Sequence, residues 1–138
     1  RISMRTGKAI AFGLLGGKPD LRLSGNPAAA YVGFEMLARP AIRKMRGFAE
    51  GTRPVQQATL THGVKKRQHR RFFDRATVLR DPETGELLVT EAKTQNSALL
   101  GTMQRANCLL RVDEGPCDLK VGDVVDVVRV DLPEGVVL

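Results

Sequence analysis

The alternation of hydrophobic and polar residues near the start of the chain predicts a β-hairpin. Residues 9–14 (AIAFGL) and 20–23 (DLRL) have the composition of short strands, and they flank the sequence GGKP. Glycine tolerates the unusual backbone angles of a tight turn, and proline limits the chain to turn-compatible angles. The two runs are therefore predicted to pair as neighbouring strands.

A helical pattern follows this hairpin. Asn26 is a favoured N-cap residue, and Pro27 suits the first helical position because its missing N–H is not needed there. Pro40 is expected to kink or divide the helix, and Gly47 can adopt the left-handed conformation that ends it. The apolar positions repeat at helical spacing and predict one face that packs on a sheet; they are Ala30, Phe34, Leu37, Ala38, Ala41 and Met45.

After residue 47 the pattern changes from helical to strand-like. Residues 47–54 are rich in glycine and end in Pro54, as a linker does. Beyond them, short runs of strand composition are separated by turn signals such as DPETGE and VGD, which predicts a small barrel or sandwich. Residues 97–106 are predicted to form a short helix or turn. The five predicted strands are residues 55–61, 75–80, 87–92, 108–112 and 124–130.

The composition is that of a folded protein. With 138 residues, of which 42% are hydrophobic, the chain can bury a core in one domain or two small ones. It contains no apolar run of the roughly 20 residues that cross a bilayer, so no membrane is expected. Cys108 and Cys117 have no CxxC spacing and no paired histidines, and they are expected to be reduced cytosolic thiols. The sequence starts at Arg1 without a methionine, as a fragment would.

Positive charge is concentrated in the first part of the chain. The net charge is +7, and residues 1–50 hold nine Lys and Arg against three Asp and Glu. Residues 65–75 add six basic residues with one acid. This distribution favours a phosphate-bearing or otherwise anionic partner.

The turn Ser24-Gly25-Asn26-Pro27 is the first candidate site. A strand that turns directly into a helix directs several backbone N–H groups at one spot, where an anion can bind. Gly25 allows close approach to the backbone, and Asn26 can either cap the helix or orient a ligand. An ordinary capped turn explains the same residues, so both interpretations stay open.

Two basic groups are further candidates. Arg1, Arg5 and Lys8 precede the first strand at spacings that could gather charge at one sheet edge, and a solvated basic stretch is the alternative. Residues 63–75 (GVKKRQHRRFFDR) combine cations with two phenylalanines, which predicts either a solvated loop or a nucleic-acid surface. Neither His62 nor His69 has a spaced partner for metal binding, and both are expected at the surface.

Residues 4–47, MRTGKAIAFGLLGGKPDLRLSGNPAAAYVGFEMLARPAIRKMRG, closely resemble the molybdopterin molybdotransferase family, the MoeA-like proteins that include the gephyrin E domain. That family places a basic Pro-Gly-Lys-Pro stretch before a hairpin, followed by Pro-Gly-Asn-Pro and a helix. The segment GTMQRANCLLRVDEGPCDLKVGDVVDV, residues 101–127, resembles the family's last β-rich subdomain. The resemblance covers nearly the whole chain.

The resemblance implies a fold and an activity. Residues 1–48 would be the C-terminal part of a molybdopterin-binding α/β subdomain, and residues 54–138 a barrel-like C-terminal β subdomain. The family inserts molybdate into adenylylated molybdopterin with Mg²⁺, as a cytoplasmic homodimer that receives its substrate from a molybdopterin adenylyltransferase. The catalytic acids would lie upstream of Arg1, so this chain alone is expected to be inactive and to hold no metal.

The resemblance also implies substrate-binding residues, namely Arg1, Arg5, Lys8, Gly25, Asn26, Arg75 and Ser97. Thr6, Ala9 and Ser24 stand where the family usually has proline, which makes these loops less preorganised. Two other functions stay open beside the transferase. They are a nucleic-acid-binding module that uses residues 63–75 and a scaffold domain without catalysis, as the gephyrin branch suggests.

Overall fold

A computed structural model of the chain describes residues 4, 10–95 and 101–136. Its largest unit is a β-barrel, preceded by a hairpin and a helix. The strands are β1 (Ala11–Leu15), β2 (Lys18–Arg22), β3 (Val55–Leu60), β4 (Val64–Lys66), β5 (Phe72–Arg80), β6 (Leu87–Glu91), β7 (Cys108–Val112), β8 (Cys117–Leu119) and β9 (Val124–Arg129). The helices are α1 (Pro27–Gly33), a π-helical turn (Phe34–Ala38), α2 (Arg39–Met45) and α3 (Gly101–Arg105).

The barrel has the strand order β3-β6-β5-β7-β9 and closes through antiparallel pairing of β9 with β3. Only β3 and β6 run parallel, with Leu60 opposite Val89. All five strands predicted from the sequence are present, so the predicted barrel is confirmed. Closure leaves none of these strands with an unpaired edge along its whole length.

Alternation along the strands fills the barrel interior. On β5 the side chains of Phe72, Ala76 and Val78 point inward, and those of Phe73 and Arg75 point outward. The inner core also contains Ala58, Leu60, Val64, Val89, Cys108, Leu110, Val112, Val125 and Val127. Burial raises the pKa of the Cys108 thiol to about 12. Cys108 and Cys117 are both free.

The helix begins as predicted and passes Pro40 without breaking. Asn26 is the N-cap, and its Oδ1 accepts from the Ala29 N–H at 3.5 Å. Pro40 cannot donate to the preceding turn, and the backbone adapts through a π-helical turn in which the Arg39 N–H donates to the Phe34 carbonyl. Helical structure therefore continues to Met45. Gly47 follows at φ 80°, as expected for a helix stop.

The helix packs on the outside of the barrel through a face that the sequence analysis did not identify. Val32 contacts Phe73, Leu109 and Val128 from the barrel's outer surface, and Met4 completes this cluster. The prediction that the apolar stripe of the helix forms its buried face was wrong. Among its members only Ala38 is buried, and Met45 is 69% exposed.

A charged cluster fastens the helix to the segments that flank the barrel. The guanidinium of Arg53 donates to both carboxylate oxygens of Glu35, at 2.9 and 3.3 Å, and to the Leu132 carbonyl at 2.8 Å. Arg39 Nε donates to Glu134, whose carboxylate lies 3.4 Å from Arg43. The Glu134 side chain is only 2% exposed. Mutual neutralisation allows these charges to be buried.

Residues 63–75 are not the loop that the sequence analysis expected. Val64–Lys66 form β4, which pairs with β8, and β5 begins at Phe72. Lys66 is 2% exposed, donates to the carbonyls of Arg70 and Asp113, and lies over the Phe72 ring. β4 has only three residues, of which two are lysines, so its sequence gives little hydrophobic signal, which explains the error.

The predicted hairpin is confirmed, and most of its apolar side chains face solvent. β1 and β2 pair around Gly16 and Gly17, which have φ of 56° and 77° as a tight hairpin turn requires. Phe12, Leu14 and Leu15 are each at least 70% exposed. None of the described helices is long and apolar enough to cross a bilayer.

We expect Glu134→Gln to destabilise the chain by about 2 kcal/mol at pH 7, because the mutation weakens a charge-assisted hydrogen bond. The bond from Arg39 lowers the pKa of Glu134 to about 2, against 4.5 for an ordinary glutamate. A carboxyl group whose pKa is lowered by folding stabilises the folded state at pH values above its ordinary pKa. This contribution is lost as the pH falls from 4.5 towards 2. Urea unfolding at pH 7 and at about pH 3 measures the difference.

The control is Glu83→Gln, at an exposed turn position. We expect it to leave stability unchanged at pH 7. An equal loss for Glu134→Gln at both pH values would show that the Glu134 charge does not stabilise the helix contact.

Candidate functional site

Arg75 lies on the outer face of the barrel, at the border of the helix contact. It follows Phe73 by two residues on β5 and is the register partner of Leu109, and both of those residues pack under the helix. Arg75 is 2% exposed. Burial lowers the pKa of its guanidinium, and the negative charge of the adjacent Asp74 opposes that shift. An arginine remains charged after such a shift, so the site contains a buried cation.

The side-chain amide of Gln95 holds Arg75 from the loop after β6. Its Oε1 accepts from the Arg75 backbone N–H at 2.9 Å and from the Arg75 Nε–H at 3.4 Å. Its Nε2 donates to the Arg75 carbonyl at 2.9 Å and to the Ala92 carbonyl at 3.3 Å. One amide therefore binds the backbone and the guanidinium of the same arginine.

A groove of about 560 Å³ is lined by the chain neighbours of these residues, Ala76 and Thr94, and not by Arg75 or Gln95 themselves. Its floor is apolar, and Lys93 and Arg105 line it together with five threonines. Several hydroxyls are bonded locally: Thr61 lies 2.8 Å from Thr90, and Thr77 donates to the Arg105 carbonyl at 3.2 Å. The lining residues are Thr61, Ala76, Thr77, Leu79, Leu88, Thr90, Glu91, Ala92, Lys93, Thr94, Thr102, Arg105 and Ala106.

The Ser24-Gly25-Asn26 turn forms an ordinary helix start. Ser24 Oγ accepts from the Asn26 N–H at 3.3 Å, and Asn26 caps α1. Gly25 does not have positive φ, and a Cβ added to it would meet no atom within 4 Å. Neither backbone conformation nor packing within the described residues requires glycine at this position.

The remaining residues that the resemblance implied, Arg1, Arg5, Lys8 and Ser97, lie outside the described residues. Their distances from Gly25, Asn26 and Arg75 therefore stay predictions.

The described part of the chain contains no group of three His, Cys, Asp or Glu side chains that could hold a metal ion. His62 is half-buried and not simply at the surface. Its Nε2 accepts from the Glu91 N–H at 2.8 Å, and Nδ1 lies 3.1 Å from the Gly63 carbonyl. Both ring nitrogens have protein partners, whereas His69 is exposed as predicted.

Sequence reasoning missed two amide side chains that bind β5. Besides Gln95, Asn107 accepts from the Val78 N–H at 2.8 Å and donates to the Val78 carbonyl at 2.9 Å. Polar residues just outside predicted strands gave a possible signal, because an amide can pair with both groups of one peptide. Their targets depend on the three-dimensional pairing, which the sequence does not display.

Comparison with known proteins connects this fold to one family. The family described as MoeA C-terminal region (domain IV) matches residues 57–130. Molybdopterin molybdenumtransferase 1 of Mycobacterium tuberculosis is 35% identical over 132 residues, which are 92% of this chain and 31% of that protein. Molybdopterin molybdenumtransferase of Staphylococcus aureus is 29% identical over 93% of this chain and 30% of that protein.

Solved structures agree at the level of the fold. The molybdopterin biosynthesis MoeA protein of Pyrococcus horikoshii superposes with a TM-score of 0.71 at 24% identity, covering 93% of this chain and 30% of that one. A molybdenum cofactor biosynthesis protein of Pyrococcus furiosus gives 0.69 at 24% identity, covering 92% of this chain and 43% of that one. The chain spans about a third of the length of the curated relatives it matches. On the match to residues 57–130, the chain belongs to the MoeA C-terminal region family.

Proposed function

We propose that this chain is the C-terminal part of a molybdopterin molybdenumtransferase, which inserts molybdate into adenylylated molybdopterin. The two curated relatives described above carry the transferase name. The observation that carries the proposal is the buried, charged Arg75 within the family-matched barrel, at the border with the helix. The family's substrate class carries phosphate, and arginine is suited to bind it through paired N–H groups.

Arg75 would neutralise phosphate charge on the adenylylated pterin. A guanidinium removed from water interacts more strongly with an anion than an exposed one does. Lys93 and Arg105 line the neighbouring groove and would add positive potential there. Ser97, two positions after Gln95 in the sequence, would add a hydroxyl. In this proposal the barrel contributes binding and positioning of substrate, and the reacting acids belong to the rest of the enzyme.

The helix start would contact the same ligand through Gly25 and Asn26. Because the chain's own packing leaves space at Gly25, a phosphate could approach the backbone there. Arg1, Arg5 and Lys8 would supply the cationic side chains beside it.

Exposed apolar surface supports the assignment of residues 1–48 to an incomplete α/β subdomain, with residues 54–138 as the β subdomain. β1 exposes Phe12 and Leu14, and α2 exposes Ile42 and Met45. Apolar area of this extent favours burial against another segment. The two-thirds of the relatives' length that this chain does not span would provide that segment.

Mg²⁺ does not fit the described residues, because they contain no convergent carboxylates. We therefore assign no step of metal chemistry to this part of the chain. In this proposal molybdate is a substrate of the enzyme. Residence in the cytoplasm, a homodimer and delivery of substrate by a molybdopterin adenylyltransferase are further parts of the proposal.

We expect Arg75→Ala in the full-length protein to weaken binding of adenylylated molybdopterin by about 10- to 100-fold, the loss typical of hydrogen bonds to charged groups. Anaerobic equilibrium titration measures the affinity. Arg80→Ala, at an exposed position on the same strand, is the matched control. Equal affinities for wild type and Arg75→Ala would remove Arg75 from the substrate site.

We expect Arg5→Ala and Lys8→Ala in the full-length protein each to weaken binding of the same ligand by about 10-fold, because each removes a phosphate contact. The same titration applies, with Lys18→Ala on the hairpin as a control. Unchanged affinity in both variants would remove the basic entry to the hairpin from the proposed pocket.

The nucleic-acid alternative is weakened by the structure of residues 63–75. Lys66 is buried, and Arg71 pairs with Asp113 at 3.2 Å, so fewer cations are available for phosphate contacts. We expect a single-stranded oligonucleotide of about 20 nucleotides to bind only in the non-specific range, about 10⁻⁴ to 10⁻⁶ M. Fluorescence anisotropy tests this at several salt concentrations. Tight binding that Arg70→Glu abolishes would support the alternative.

A further inference from the structure

The Gln95 amide is inserted into the hydrogen-bond ladder between β5 and the residues that follow β6. In antiparallel strands, a hydrogen-bonded pair exchanges two backbone bonds directly. Arg75 and Ala92 form only one of them, from the Ala92 N–H to the Arg75 carbonyl at 2.9 Å. At the other position the Arg75 N–H donates to Gln95, and Gln95 donates to the Ala92 carbonyl. The side chain thus replaces one rung of the ladder.

This arrangement restricts the orientation of the Arg75 side chain relative to its own backbone. The same Gln95 oxygen accepts from the Arg75 Nε–H at 3.4 Å, so backbone and guanidinium share one acceptor. Without the amide, Arg75 and Ala92 could form the missing direct bond, and β5 would move towards the chain after β6. Such a movement would carry the buried guanidinium away from its present position.

We infer that Gln95 is a positioning residue, which orients Arg75 for a phosphate-bearing ligand. The inference rests on the proposed function for the identity of that ligand, the adenylylated pterin. Gln95 is uncharged and would act through Arg75, which is the residue expected to contact the phosphate. An error of about 1 Å in the position of a binding group is enough to cost much of its effect.

Asn107 provides a matched comparison within the same strand. Its amide also binds the N–H and carbonyl of one β5 residue, Val78, on the edge that faces β7. Gln95 and Asn107 therefore have the same structural role, and only Gln95 is bonded to Arg75. If the loss of the amide hydrogen bonds to β5 acts only through the stability of the strand, its effect should be equal in Gln95→Leu and Asn107→Leu.

The test is a double-mutant cycle in the full-length protein, with anaerobic titration of adenylylated molybdopterin. We expect Gln95→Leu to weaken binding by about 10-fold in the wild-type background and by less than about 2-fold when Arg75 is already alanine. Asn107→Leu should change affinity by less than about 2-fold. An equal loss from Gln95→Leu in both backgrounds, or an equal loss from Asn107→Leu, would overturn the inference.

A second readout separates this inference from the proposed function. In the 138-residue chain, the Nε–H resonance of Arg75 is identified in NMR spectra by its disappearance in Arg75→Ala. We expect Gln95→Leu to shift it and accelerate its exchange with water, and Asn107→Leu to leave it unchanged. Arg75→Ala with unchanged ligand affinity would count against the proposed function alone. An unshifted resonance in Gln95→Leu would count against positioning by Gln95.

Gln95→Ala serves as the second variant if Gln95→Leu does not fold. Alanine removes the acceptor for the Arg75 N–H and Nε–H and the donor to the Arg75 and Ala92 carbonyls, and it adds no bulk. We expect this variant to shift the Arg75 resonance, to accelerate its exchange with water and to weaken ligand binding by about 10-fold. An unshifted resonance in Gln95→Ala would contradict the proposed contact.

Discussion

Closure of the barrel is the constraint on which the rest of the structure depends. β9 pairs with both β3 and β7 and so closes the barrel, in which β5 lies between β6 and β7. The side chains of β5 therefore point alternately inward and outward. The inward positions build the core. The outward positions place Phe73 under the helix and Arg75 at the edge of that contact. A cation is therefore buried beside this interface, on the outer face of the barrel.

Two kinds of interaction hold the helix against the barrel. Apolar contact is made by Val32 with the outer barrel surface, and charge pairing is made by the cluster around Glu35 and Glu134. The charged cluster joins the helix, the linker residue Arg53 and the segment after β9. Since each carboxylate there has an arginine partner, the cluster restricts how the helix can move without large loss of solvation. The position of the helix on the outer barrel surface is maintained in this way.

The sequence predicted local structure better than it predicted contacts. Five strands and the helix cap follow from composition and turn residues, which act over a few positions. The buried helix face was wrong, because apolar residues at helical spacing were assigned to the core while Phe34 and Met45 are exposed. Glu35, three residues before the buried Ala38, is buried as well, because Arg53 of the linker neutralises it. β4 was missed because its charged pattern resembles a loop.

The site could be predicted only in part. Arg75 was predicted through the family resemblance, and its burial became visible only in the folded barrel. Gln95 was not identified, since the partner of a polar residue that follows a predicted strand is known only once the strand pairing is known. The most direct test of the central claim is a crystal structure of the full-length protein with adenylylated molybdopterin. We expect a phosphate oxygen within about 3 Å of an Arg75 guanidinium nitrogen. A bound ligand whose phosphates all lie beyond about 6 Å from that nitrogen would contradict it.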